Sequence, residues 1–305
     1  MGMRRRESWR QAGSPDLEIG FPATPTYGKL ADRYVVRMVH YSFAGKTVLI
    51  TGASLGIGAT FARELSAAGA QVVLVARSPA RLNELARELV GARVIAEDLA
   101  KPGAARRVFE AVQAQGLEVD VLINNVGCGK YGPFTDVPLE VQREQVDLNI
   151  GVLVELTHLF LPMLERRHGG VIQVASTAAF QPVPYMAVYG ATKAFVLSFS
   201  EALWAEYRTR GVRVLALCPG ATDTPFFERA GEAAAFGNKA DPRDVVLTAL
   251  AAFDKNRSYA VHGTGNYFTA MLSRFTSRAF TAKTGARLMQ PRKQLAAPAK
   301  AEPSA

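Results

Sequence analysis

From Gly45 onward, short unbroken apolar runs alternate with longer stretches of helical periodicity. The runs at 47–51, 72–76, 93–96, 121–124, 171–174 and 212–218 are rich in β-branched residues. They are apolar at nearly every position rather than at alternate ones, as strands covered on both faces should be. Between them, 58–68, 79–90, 102–115, 139–165 and 185–210 place apolar side chains at helical spacing. A further helix is predicted after Asp241-Pro242, which reads as an N-cap followed by proline at the first helical position. Gly69, Gly116 and Gly211 follow helical stretches, where a left-handed residue ends the helix. Strand and helix in strict alternation predict an α/β fold, a doubly wound and mostly parallel sheet with helices on both faces.

The first strand runs into Thr51-Gly52-Ala53-Ser54-Leu55-Gly56-Ile57-Gly58 and then into a helix. Glycines there let the backbone approach a pyrophosphate, and the N–H groups and positive dipole end of the helix favour its charge. Three residues separate the first two glycines, so the spacing departs from G-x-G-x-x-G while serving the same physics.

The second chemical signal lies at 171–199. A strand ends at Ser176, a Pro-punctuated loop follows at 181–184, and a helix predicted to begin near Tyr185 carries Tyr189 and Lys193 four residues apart on one face. An ammonium beside a phenol favours the phenolate, so the spacing predicts a Tyr189 pKa below its ordinary value of about 10. Ser176 lies opposite that phenol if the strand end faces the helix. A Tyr-x-x-x-Lys pair also arises by chance, so it needs company.

Its company is ordered. The Gly52/Gly56/Gly58 turn, Asn124-Asn125-Val126-Gly127, Asn149, Ser176, Tyr189-x-x-x-Lys193 and Pro219-Gly220 follow one another along 45–262, and together they resemble the short-chain dehydrogenase/reductase family in its single-domain form. Val126 stands where the family usually has alanine, and Ala175 where a serine often precedes the catalytic one. Ser176 keeps its register thirteen residues before Tyr189. The resemblance implies a catalytic set of Asn149, Ser176, Tyr189 and Lys193. Tyr189 would be the general acid in carbonyl reduction, and Lys193 would lower its pKa and bind the nicotinamide ribose. Ser176 would polarise the substrate oxygen, and Asn149 would hold a water relaying protons from Lys193; a satisfied core Asn is the plainer alternative. Cofactor binding is implied for Gly52, Ser54, Leu55, Gly56, Ile57, Gly58, Arg77, Asp98, Leu99, Asn125, Val126, Gly127, Tyr189, Lys193, Pro219, Gly220, Thr222 and Thr224. Thr224 and Thr222 compete for the carboxamide, and Asp98 reads either as an adenine contact or as an N-cap for the following helix. Asn124 would be structural. The two-helix interfaces common in the family imply a dimer or tetramer.

Cofactor choice rests on Ala76-Arg77-Ser78, at the end of the second strand. A carboxylate there would accept hydrogen bonds from the ribose hydroxyls of NAD and repel a 2′-phosphate. Ala76 occupies that place, Arg77 offers a planar fork to the phosphate and Ser78 a hydroxyl, so NADPH/NADP is expected over NAD.

Composition narrows the rest. The net charge of +9 divides into +3 for residues 1–42 and +6 for 270–305, while 43–269 carries 22 charges of each sign. The basic balance belongs to the two ends and not to a binding face on the core, which weakens a nucleic-acid reading. Cys128 and Cys218 stand apart with no CxxC or Cys/His cluster, so neither a disulfide framework nor a metal site is expected and a reducing, cytoplasmic setting fits. No unbroken apolar run reaches about 18 residues, and Arg6 spoils an N-myristoylation reading of Met1-Gly2.

The chain therefore divides into a basic extension at 1–42, read as disordered with a short element near 30–39; an oxidoreductase domain at 43–265; an amphipathic helical region at 266–290; and a disordered tail at 291–305. Met3 and Met38 are alternative candidate starts to Met1. Residues 222–239, with Phe226, Phe227 and Phe236, read as a substrate lid, and with Pro182, Pro184, Tyr185 and Met186 across the cleft they favour an apolar or bulky carbonyl or ketoacyl substrate. The expected activity is NADPH-dependent carbonyl reduction or alcohol oxidation; a nucleotide-binding redox sensor or scaffold without turnover is the alternative. Phe268, Met271, Leu272 and Phe275 follow helical spacing among Arg274, Arg278, Lys283 and Arg287, so that helix packs on the body or a second subunit, or touches anionic membrane.

Overall fold

Strand β1 (Thr47–Thr51) is buried along its whole length and is an inner strand, third from one edge, of a seven-stranded parallel sheet in the computed structural model, which describes residues 40–235 and 237–291. The expectations for 1–39, Phe236 and 292–305 lie outside the described residues. β2 (Gln71–Ala76) and β3 (Arg93–Ala96) extend the sheet on one side of β1. On the other side follow β4 (Val121–Asn124), β5 (Gly170–Val174), β6 (Arg213–Cys218) and β7 (Tyr259–Val261). Strand order therefore reverses between β1 and β4, where an open α/β sheet leaves a crevice at its carboxyl ends.

Successive residues of β1 face opposite ways, and each face has its own core. Val48 and Ile50 pack with Phe61 and Leu65 of α1 (Gly56–Ala67), Leu82 of α2 (Pro79–Glu88) and Phe253 of α8 (Pro242–Asp254). Leu49 packs with Val108 of α3 (Ala104–Ala114) and with Leu156 and Phe160 of α5 (Val152–Arg166) on the other face. Helix α6 (Ala187–Tyr207) covers β5 and β6, burying Val196 and Leu197 beside Ala216 and Cys218. The doubly wound sheet expected from the apolar runs is present.

Three departures have local causes. The stretch expected as one helix is α4 (Leu139–Val146) and α5, joined by a π-helical turn at Asp147–Gly151 that contains the buried Asn149. Such single-turn insertions are common at functional sites. The α4–α5 segment, Leu139–Arg166, is long and apolar enough to cross a bilayer by length and composition, yet half of its apolar window is buried inside the body. The C-terminal region forms two helices, α9 (Thr264–Leu272) and α10 (Arg278–Leu288), with Ser277 capping the second through its hydroxyl. Finally, α6 starts at Ala187, because Tyr185 adopts φ 63°, a left-handed conformation outside any helix.

Ordered packing reaches back to His40. The Tyr41 ring lies edge-on to Phe253 at 5.0 Å, and the Tyr41 N–H donates to Asp254. At the opposite end of the strands from the crevice, the fully buried Asp120 accepts from Lys46 Nζ (3.2 Å), Arg167 Nε (2.8 Å) and the Thr47 N–H (2.9 Å). Burial alone would push its pKa up, but the guanidinium, the N–H and the ammonium outweigh it and hold the carboxyl below its ordinary value. Asp120→Ala should therefore cost about 2–3 kcal/mol in chemical denaturation at neutral pH. A depressed carboxyl stabilises above its unfolded pKa of about 3.9, so the difference from wild type should shrink as pH falls below about 4.

Candidate active site

The β1–α1 turn opens the crevice. Gly52 has φ 65°, and a Cβ there would meet Asn125 Nδ2 at 2.9 Å; a Cβ on Gly58 would run into the Gly52 carbonyl. The turn is this tight because β4 holds it from beneath. Asn125 Nδ2 donates to the carbonyls of Thr51 (2.8 Å) and Gly52 (3.3 Å), while Thr51 Oγ1 accepts from the N–H groups of Asn125 (3.0 Å) and Val126 (3.1 Å). The side-chain nitrogen of Asn125 is thus committed to the chain's own backbone. The sequence places the fully buried Thr51 at the head of the turn but gives no signal of this bracing role, since a threonine ending a β-branched strand is unexceptional.

Above this turn lies one cavity of about 820 Å³. Gly52, Ser54, Leu55, Gly56 and Ile57 line its floor, and Arg77, Asp98, Leu99, Asn125, Val126, Gly127, Pro219, Gly220, Thr222 and Thr224 continue the wall. Gly58 lies one step behind, packing α1 on the turn. Ala76, 7% exposed, ends β2 with no carboxylate; Arg77 is exposed beside the cavity with Ser78 and Arg81. Asp98 does not cap α3, whose N-cap is Gly103; its Oδ1 accepts from the Ala100 N–H at 3.2 Å in a local turn on the cavity wall. Of the two competing threonines, Thr224 approaches the glycine turn, its methyl 2.9 Å from where a Gly56 Cβ would stand. The Thr222 hydroxyl donates to Gly220 O at 3.2 Å.

The chemical end of the cavity forms where β5 stops and α6 crosses it. Ser176, Tyr189 and Lys193 all reach the cavity wall. The Ser176 hydroxyl lines the same wall and accepts from the Ala178 N–H at 3.1 Å. Lys193 Nζ donates to Val174 O at 2.7 Å and lies 5.8 Å from the Tyr189 ring centroid. The expected lowering of the tyrosine is overturned: burial pushes the Tyr189 phenol up to about 12, against a smaller downward pull from Ser176. Burial likewise brings Lys193 down to about 8. The ammonium is directed at a carbonyl and sits against the ring flank, so it does little for the phenol oxygen, and desolvation wins.

Asn149 joins the set through its neighbours. Its Nδ2 donates to Cys128 O (2.8 Å) and Thr192 Oγ1 (3.0 Å), and its Oδ1 accepts from the Cys128 N–H (2.9 Å). The side chain therefore clamps the 127–129 loop to α6, with both amide atoms engaged. Asn124, given a structural role above, donates to Thr157 Oγ1 and Gln173 Oε1 in a buried network between β4, α5 and β5.

The expected lid holds α7 (Phe226–Ala230), whose Phe226 ring lies 5.6 Å from that of Tyr189. Asn266, Ala270, Gly285, Leu288 and Met289 also reach the cavity, a contribution of α9 and α10 that sequence periodicity did not disclose. The Tyr131 hydroxyl donates to Met289 O and fastens the end of α10 there.

A glycine-rich turn at the strand-order reversal, with a Ser–Tyr–Lys set in the same cavity, belongs to an NAD(P)-dependent oxidoreductase acting on CH–OH and C=O groups. The family pattern described as short chain dehydrogenase matches residues 46–235, and the chain belongs to that family. It is 35% identical to an uncharacterized oxidoreductase of Staphylococcus epidermidis over 185 residues, 60% of this chain and 80% of that protein. It is 36% identical to the very-long-chain 3-oxoacyl-CoA reductase of Homo sapiens over 187 residues, 57% of this chain and 59% of that protein. Among solved structures, a short-chain dehydrogenase from Sphingobium yanoikuyae in complex with NADPH superposes with a TM-score of 0.67 at 31% identity, covering 83% of this chain and 99% of that one.

Proposed function

We propose that the protein is an NADPH-dependent reductase of a bulky, apolar ketone, aldehyde or ketoacyl compound. The observation that carries this reading is that Ser176, Tyr189 and Lys193 open into the same cavity as Met186, Phe226 and Leu288. The glycine turn lines the cavity at the N-terminal end of α1, whose first N–H groups and positive dipole end suit the pyrophosphate of the dinucleotide. When bound, the nicotinamide supplies the hydride. Arg77, Ser78 and Arg81 surround the end of β2 where the adenosine ribose belongs, and the missing carboxylate at Ala76 removes the usual repulsion of a 2′-phosphate.

Ser176 and Tyr189 direct their hydroxyls at one substrate oxygen. A phenol at about 12 stays protonated through the physiological range and holds its proton for the developing alkoxide. Lys193 orients the nicotinamide ribose and restores the proton; Asn149 keeps the Cys128 loop and α6 in register around it. The 3-oxoacyl-CoA substrate named for the human relative supports an acyl thioester as one member of the class.

Steady-state NADPH oxidation with bulky ketones, aldehydes and 3-oxoacyl thioesters tests the reading. Turnover should favour the bulky apolar members over small charged ketones by at least about tenfold, since each buried methylene is worth about 0.8 kcal/mol. Cofactor binding without turnover on any of them would make the protein a nucleotide sensor instead.

A further inference from the structure

The chain from Ser258 to Ala301 contains no Asp or Glu, and within it Arg274, Arg278, Lys283 and Arg287 are all exposed on the described α9–α10 unit. None of the four makes an ion pair among the described residues. Large apolar side chains are exposed beside them: Phe268 at 72%, Leu272 at 61%, Phe275 at 85% and Phe280 at 62%. Phe268 and Leu272 stand one turn apart on α9, and Phe275 follows in the connection. On α10, Phe280, Lys283 and Arg287 fall at i, i+3 and i+7, so aromatic and cation share one face. Only Ala270 of α9 is buried and no residue of α10 is. The inner sides of the two helices still close the apolar end of the cavity through Ala270, Gly285 and Leu288.

We propose that the α9–α10 unit is a docking surface for an anionic lipid bilayer. Exposed Phe and Leu beside Lys and Arg, with no carboxylate to repel lipid phosphate, match the composition of helices that lie in the membrane interface. Charge separates this occupant from a second copy of the chain. A two-fold interface through this face would press four cations against their own four counterparts with no acid between them. An anionic surface instead attracts each cation by about fivefold in binding constant, and the effect falls off within a Debye length. Docking there sets the apolar end of the cavity beside the bilayer.

Co-sedimentation of the full chain with vesicles decides the matter. Binding to phosphatidylcholine vesicles holding about 30% phosphatidylglycerol should exceed binding to pure phosphatidylcholine by at least about tenfold at low salt, and should fall steeply near 0.5 M salt. Arg274→Glu with Arg278→Glu should remove most of the anionic preference. Phe268→Ser with Phe275→Ser should weaken binding at least about tenfold while circular dichroism reports an unchanged fold. No binding at low salt, or equal binding to both vesicles, overturns the proposal. So does a wild-type oligomer that Phe275→Ser dissociates in sedimentation velocity without any change in lipid binding, since the face would then belong to a second copy.

Discussion

Phenylalanine at position 189 should lower kcat for carbonyl reduction by about 10²–10⁴-fold, the usual contribution of one positioned proton donor, with cofactor affinity changed less than about threefold. The ring itself packs against Phe226, so Phe preserves the wall and deletes only the hydroxyl. A variant retaining more than about a tenth of wild-type kcat would remove Tyr189 as the acid. The pH profile adds an independent reading. Since the phenol lies near 12 and Lys193 near 8, both displaced by burial, the first group to lose its proton as pH rises is the ammonium. kcat/KM for reduction should therefore decline above about pH 8, and a profile flat to about pH 10 would show that Lys193 need not be charged.

The second large effect concerns selectivity. Arg77→Glu should lower kcat/KM for NADPH by about a hundredfold, because it removes charge-assisted hydrogen bonds of about 1.5–3 kcal/mol and sets a carboxylate against the 2′-phosphate. The NADH value should hold or rise, since that carboxylate can accept from ribose hydroxyls. Arg77 is exposed and its neighbour Ala76 is buried, so the substitution disturbs no core packing. Equal losses with the two cofactors would mean that Arg77 does not read the phosphate.

The sheet was legible because β1, β2, β4, β5 and β6 are buried on both faces and so appear as nearly unbroken apolar runs. β7 was not among those strands: three residues ending at Val261 are too few to set a period, and their partner β6 decides the pairing. The Ser–Tyr–Lys set was legible through helical spacing and strand order. Its electrostatics were not, because the sign of the Tyr189 shift depends on where Lys193 aims its ammonium, at Val174 O, and on how much apolar matter surrounds the phenol. Asn149 was found, but its function as a clamp on Cys128 and Thr192 required the π-helical turn, which no sequence period announces. Asp98 was read two ways, and a helix starting at Ala104 after Gly103 removes the capping alternative. The inward side of α9 and α10 was hidden because Gly285 and Ala270, small and unremarkable in a sequence, are what fit against the cavity.

The thin attachment of the C-terminal helices has a consequence for the time course of ligand entry. β1 is hydrogen-bonded to strands on both sides and opens only when the whole domain does, whereas α10 contributes no buried residue and α9 a single alanine. Amide protection follows such differences, with weakly buried units opening at a small fraction of the global free energy. The Tyr131–Met289 and Ser273–Phe180 hydrogen bonds fasten these helices, and amide exchange should show α9 and α10 opening well before β1. A bulky molecule can reach the apolar end of the cavity in such an opening while the dinucleotide cradle, built on β1 and β4, stays closed.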